Sequence, residues 1–196
     1  MSPGPSKSFD PDEALVLARD VFWRRGYDGT AISELESVLG IGRKSLYDTF
    51  GSKRALYLRV LEQYTDTVIR KICSSLEDPR SGSFESLEQV LDRLQRHHGS
   101  PGSLGCLLGV AMAQADPEDA ELGELLRGYL SRLENAFGRA IRSAQKEGTI
   151  DGAARAKDVA RNLVALTQGM ALMGRVADTL AAPRSIVRAA LHALKA

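Results

Sequence analysis

Thr30-Ala-Ile-Ser-Glu-Leu-Glu-Ser-Val-Leu-Gly-Ile-Gly-Arg-Lys-Ser-Leu-Tyr-Asp-Thr-Phe-Gly-Ser-Lys-Arg-Ala-Leu-Tyr57 contains two short helix-forming runs parted by Gly40-Ile41-Gly42. In the first run Ile32, Leu35, Val38 and Leu39 recur at helical spacing, which predicts an inward face on a helix over Ala31 to Leu39, opened by Thr30. The second run predicts a helix from Arg43 to Phe50, stopped by Gly51-Ser52. Ser52 then caps a fourth, long helix running from Lys53 to about Leu76. Upstream, Phe9-Asp10-Pro11-Asp12-Glu13 is a strong helix start: Asp10 caps, Pro11 fits the first turn and Glu13 completes a capping box. Ala14, Leu17, Ala18, Val21 and Phe22 follow as one apolar stripe. Gly26 ends this helix and Tyr27 folds back over its last turn. Two short helices joined by a tight glycine-containing turn, buttressed by a first helix, form a helix-turn-helix.

Charge sharpens that reading. The 196-residue chain carries 26 Lys and Arg against 25 Asp and Glu, a formal net charge of +1. A basic sleeve around nucleic acid is excluded, so any DNA footprint must be local. Between Gly42 and Arg59 the cations Arg43, Lys44, Lys53, Arg54 and Arg59 face the single acid Asp48, a local excess of four charges. Concentrated charge of this kind suits the phosphate backbone, whose attraction is independent of sequence. Arg43 and Lys44, with Ser45 beside them, open the third helix at the end that enters the major groove, where Arg or Lys reads guanine O6 and N7. The competing reading is a solvated basic face. For Tyr47 the competing role is core packing, and Asp48 reads as a solvated helix residue.

The stretch 30–57 resembles the DNA-binding region of TetR-family regulators, with Leu46-Tyr47-x-x-Phe50-x-x-Lys53 as its most specific core and Gly26-Tyr27 matching just before it. The resemblance implies a helix-turn-helix DNA-binding domain over 9–54 and an effector-binding and dimerisation domain over 55–196. It implies that Thr30, Tyr47 and Lys53 clamp phosphates, while Leu46 and Phe50 enter the three-helix core. It implies a dimer on a palindromic operator, usually a repressor released by a small-molecule effector. Glu36 departs from the pattern, because the family usually has a small residue there. An outward lean of Glu36, or an altered crossing of the two short helices, accommodates it. Gly105-Cys106-Leu107-Leu108 resembles a helix start found in a subset of the family.

The rest of the chain supports an all-α fold of about nine helices with no convincing strand. Residues 1–8, rich in Ser, Pro and Gly, read as a disordered arm. Further helices are expected over Phe84 to His97, Cys106 to Ala115, a long one started by the cap at Asp116-Pro117 and ending near Glu147, Arg155 to Leu180, and Pro183 to Leu194. Hydrophobic residues make up 43% of the chain, enough for a real core. No stretch reaches about 18 consecutive apolar residues and no basic-apolar leader opens the chain, so a soluble, cytoplasmic protein without membrane partners is expected. Two cysteines are too few for a disulfide framework, and no Cys/His spacing suggests zinc; neither metal nor cofactor is expected. His97, His98 and His192 read as solvated residues at loop edges.

Dimerisation is expected through the last two helices, by Val159, Leu163, Leu166, Met170 and Met173 on one and Ile186, Val187, Ala190, Leu191 and Leu194 on the other. The competing role for these stripes is intramolecular core. An apolar effector cavity is sought among Leu104, Cys106, Leu107, Val110, Met112, Phe137, Ile141, Met170 and Met173. Cys106, at a helix start after a Gly-Ser-Pro loop, admits two readings: a redox or electrophile sensor with a stabilised thiolate, and a small buried hydrophobe. No nucleophile–base pair, carboxylate dyad or phosphate-binding glycine loop stands out, so a helical enzyme is not expected. A protein-interaction module that no longer binds DNA is the rival from another class.

Overall fold

In the computed structural model, which describes residues 9–78, 81–176 and 181–195, the Asp10 carboxylate accepts the Asp12 amide at 2.8 Å and launches α1 (Pro11–Arg25). The expected arm 1–8 lies outside the described residues. After α1 come α2 (Ile32–Leu39), α3 (Arg43–Phe50) and α4 (Lys53–Tyr64). A π-helical turn, Thr65–Ile69, joins α4 to α5 (Arg70–Leu76), so 53–76 is one unbroken helical run. Then follow α6 (Ser83–His98), α7 (Leu107–Gln114), α8 (Ala120–Lys146), α9 (Ala156–Met173) and α10 (Ala181–Leu194). Counting 53–76 once gives nine helices among the described residues. The only extended pairing described is an isolated bridge between Ile150 and Lys195. The chain divides into two compact units between Tyr64 and Thr65.

In the first unit α1 packs on α2 and α4, and α3 is held between α2 and α4. Its core is built from Leu15, Ala18 and Phe22 of α1, Leu35 and Leu39 of α2, Leu46 and Phe50 of α3, and Leu56, Tyr57 and Leu61 of α4. Phe22 meets Tyr57 edge-on at 4.9 Å and stacks on Tyr27 at 6.5 Å, as expected for a tyrosine folded back past Gly26. Two positions of the expected stripes turn outward. On α1 Leu17 is 44% exposed and Leu15 takes the core place; on α2 Val38 is 44% exposed. Thr30 does not open α2. Ala31 is its N-cap, and the Thr30 hydroxyl donates to the Gly26 carbonyl at 2.6 Å, closing the α1–α2 turn instead.

In the second unit the 27-residue α8 is the spine, packing most extensively along α9 and also against α5 and α6. It starts three residues later than expected: Asp119 caps it by accepting the Leu122 amide at 3.0 Å, while Asp116 accepts from Glu118 in a preceding turn. The shared face of α8 and α9 buries Tyr129, Leu133, Phe137, Ile141, Leu163 and Met170. Leu163, Met170 and Val187, expected at a dimer interface, are therefore core of the protomer. Met173, also expected there, does face outward on α9 with Ala165, Gly169 and Leu172, and Val176 beyond its end is also exposed.

Where α9 ends, at Met173 rather than Leu180, Gly174 lies against the end of α6. A Cβ on Gly174 would overlap the His98 carbonyl oxygen. Close to this contact the Arg175 guanidinium donates to the Leu104 carbonyl at 2.8 Å. His98 is not solvated: it is 5% exposed, and burial together with the His97 charge lowers its pKa to about 4. Gly174→Ala is accordingly expected to lower stability by about 1–3 kcal/mol, the usual cost of forcing an atom into a packed backbone contact. Urea unfolding of the variant beside the parent measures it, and an unchanged midpoint would refute the tight contact.

Candidate DNA interface and a cleft in the second unit

The turn between α2 and α3 is made by Gly40, left-handed at φ 64°, and by Gly42, extended at the start of α3. Ile41 is buried between them and anchors the turn. With Leu46 and Phe50 also buried, the opposite face of α3 is presented to solvent as Arg43, Lys44, Ser45, Tyr47 and Asp48, all exposed. Tyr47 is 39% exposed, so core packing does not claim it. Lys53, at the start of α4, is half-buried with its ammonium 4.4 Å above the Tyr27 ring. Ser52 caps that helix, accepting the Ala55 amide at 3.0 Å. Thr30 alone among the expected DNA-contacting residues is withdrawn. It is 2% exposed and its hydroxyl proton is given to Gly26, which leaves it a part of the turn rather than a phosphate clamp.

Two of the cations already have acidic neighbours. Glu36, the residue that departs from the family pattern, leans toward the turn and places its carboxylate 3.4 Å from the Arg43 guanidinium. Lys44 holds Asp48 at 2.6 Å one helical turn on, and the carboxylate raises the pKa of the ammonium, which stays charged. Exposed pairs of this kind contribute only about 0–1 kcal/mol, so a phosphate or a guanine edge displaces them at small cost.

The second unit contains a cleft of about 320 Å³ between α7 and α9. Cys106, Gly109, Val110, Met112, Ala113, Gln168, Gly169, Ala171, Leu172 and Arg175 line it. Of the residues expected around an effector, Cys106, Val110 and Met112 are there. Leu107, Phe137 and Met170 are core residues that do not reach it, and Met173 points outward at 47% exposure. Gln168 and Tyr129 were missed by the sequence reading: the Gln168 amide donates to the Tyr129 hydroxyl at 2.6 Å, and that hydroxyl lies 3.6 Å from the Cys106 sulfur. Polar residues on the inner face of an apolar helix were the available signal. A larger groove of about 480 Å³ between α6 and α10 is bordered by Glu88, Asp92, Arg184, Arg188 and Lys195, a poor lining for an apolar molecule.

Residues 14–60 match the model of bacterial regulatory proteins of the tetR family, and residues 85–190 match that of tetracyclin repressor-like C-terminal domains. The chain belongs to the TetR family. It is 30% identical to the HTH-type transcriptional regulator YezE of Bacillus subtilis over 76% of this chain and 77% of that one. It is also 30% identical to the HTH-type transcriptional repressor BdcR of Escherichia coli, over 61% of each chain. Among solved structures, the TetR family regulator CifR, in a cysteine-mutant form complexed with 26-base-pair double-strand operator DNA, superposes with a TM-score of 0.84 at 25% identity over 96% of this chain and 99% of that one. This TetR-family chain is thus a DNA-binding transcriptional regulator whose helix-turn-helix is α2–α3. Among its described residues no helix is long and apolar enough to cross a membrane.

Cys106 is 7% exposed and is the N-cap residue of α7, with the Tyr129 hydroxyl against its sulfur. This packing favours the small buried hydrophobe over the thiol sensor. In the folded TetR-family protein Cys106 is expected to react with iodoacetamide more slowly than a model thiol at the same pH, as peptide mass mapping over time would measure. A faster reaction would restore the sensor reading.

Proposed function

We propose that this protein is a homodimeric repressor that grips a palindromic operator and releases it when a small apolar effector enters the second unit. The exposed face of α3, within a stretch 42–59 that carries an excess of four positive charges on a chain whose total is only +1, is the observation that carries the DNA half of this reading. Arg43 and Lys44 address guanine edges in the major groove, with Ser45 beside them, while Tyr47 and Lys53 hold phosphates and fix the register. A relative named as a repressor and a structural neighbour bound to operator DNA support the direction of the assignment.

Dimerisation supplies two recognition helices for two half-sites. The outward face of α9 suits it: Ala165 permits close approach, and Met173 is 47% exposed outside the cleft. The effector acts by population shift. It stabilises the state in which the recognition helices no longer match successive major grooves, and only by as much as it prefers that state. The helical run 53–76 is the covalent route between the two units. The α7–α9 cleft is the effector site, because its lining is mostly apolar and its volume lies at the lower end of the small-molecule range.

Selection of preferred DNA from a random pool, followed by binding titrations at several salt concentrations, tests the reading. An enriched inverted repeat with log affinity falling steeply against log salt is expected. No enrichment, with weak binding only at low salt, would overturn it and favour an interaction module.

Single substitutions divide the roles. Lys53→Ala should weaken binding about equally for all sequences and reduce the salt slope by about 1, whereas Arg43→Ala should cost about 1–3 kcal/mol on the selected operator and relax the preference at one base pair of each half-site. Equal losses on specific and random DNA for Arg43→Ala would show that it contacts only the backbone.

A further inference from the structure

Inside the α7–α9 cleft one polar atom is left over. The Gln168 carboxamide gives its N–H to the Tyr129 hydroxyl at 2.6 Å, and that hydroxyl lies 3.6 Å from the Cys106 sulfur. The other end of that amide, its carbonyl oxygen, is buried and without a hydrogen-bond partner. Gly109 makes room for it. A Cβ on Gly109 would lie 3.0 Å from Gln168 Oε1, so the glycine leaves this acceptor room on the α7 side that a larger residue would crowd. Around it stand Val110, Met112, Ala171 and Leu172, with Arg175 the one charged residue of the lining. A buried acceptor with no donor is held at a cost, which a donor brought into the cleft removes.

Resting on the effector reading above, the geometry points to a ligand of one chemical class: a neutral, largely apolar molecule carrying a single hydroxyl or N–H donor, which it gives to Gln168 Oε1. The apolar body fills the space beside Val110, Met112 and Leu172. The carboxamide supplies orientation and discrimination, since a site built to accept a hydrogen bond rejects an analogue without the donor. Arg175, the one charged residue of the lining, already donates to the Leu104 carbonyl, whereas the acceptor on Gln168 repels an anion. A purely hydrocarbon ligand leaves the acceptor unsatisfied.

The probes are 2-naphthol and 2-methylnaphthalene, near-isosteres that differ in the donor. An apolar cleft alone would prefer the methyl compound, which is the more hydrophobic, so the two explanations predict opposite orders. In the unaltered full-length protein 2-naphthol is expected to bind at least tenfold more tightly, by fluorescence titration or calorimetry. In Gln168→Leu that preference is expected to collapse while 2-methylnaphthalene still binds. Equal or tighter binding of 2-methylnaphthalene by the unaltered protein, or no binding of either probe, overturns the inference, and this arm does not depend on any variant folding. A donor preference that survives in Gln168→Leu overturns the assignment to Gln168. Adding each probe to the complex with the selected DNA separates this site from the effector reading: donor-dependent binding without DNA release upholds the site and rejects the effector role, and DNA release by both probes alike upholds the effector role and rejects the donor rule.

Discussion

An eight-residue helix has no stability of its own in water, because nucleation costs more than so few hydrogen bonds return. The surface that this protein turns toward DNA is carried by such a helix. Its existence depends on burial: Leu46 and Phe50 are clamped into the first unit, Ile41 pins the turn before it, and Phe22, Tyr27 and Tyr57 form the aromatic centre against which the neighbouring helices rest. Arg59 lies over the Phe50 ring at 5.3 Å and Lys53 over Tyr27 at 4.4 Å, so the cations of α4 are tied to the same aromatic groups that hold the fold. The precision of the DNA face is thus borrowed from the packing beneath it.

The second unit solves a different problem. A long helix with one apolar face, α8, gives α5, α6 and α9 a common surface on which to bury side chains, and most of the large residues of the unit are spent on that contact. What remains for α7 is a short, nearly uncharged helix against α9, with a glycine in it and a gap beside it. A cleft arises there because Gly109 and Gly169 line it and bring no side chains to fill it. Beside it Gln168 and Tyr129 satisfy part of each other's hydrogen bonding within otherwise apolar packing.

Much of this was legible in the residues. The capped start at Asp10, the stop at Gly26, the two short helices and the turn at Gly40 and Gly42 are local signals, and local signals need no knowledge of the partner surface. The placement of 53–76 as one helical run was legible for the same reason, although nothing in its composition marks the π turn at Thr65–Ile69. The failures lie where tertiary packing decides. Leu15 and Leu17 flank the Ala14, Ala18 and Phe22 stripe on opposite edges, and the packing of the unit buries Leu15 and leaves Leu17 outside. Thr30 carries a hydroxyl suited equally to a phosphate and to a backbone carbonyl, and the α1–α2 turn claims it. Asp116 and Asp119 are both competent caps. His98 looks polar and solvated until α9 is laid across it at Gly174. Leu163, Met170 and Val187 form stripes that periodicity cannot assign to the inside of one protomer or to the seam between two. The cleft was the least legible, because an unpaired oxygen on Gln168 is a property of geometry and has no trace in composition.

Glu36 has a consequence for how operators are told apart. A free arginine samples many rotamers, and fixing it on a base costs on the order of 1–2 kcal/mol of side-chain freedom at the moment of binding. With Glu36 beside it, part of that restriction is already in place before DNA arrives, and the guanidinium starts from a narrowed set of directions. In this chain the direction of a side chain on α3 is thus set in part from α2, by a residue one element away.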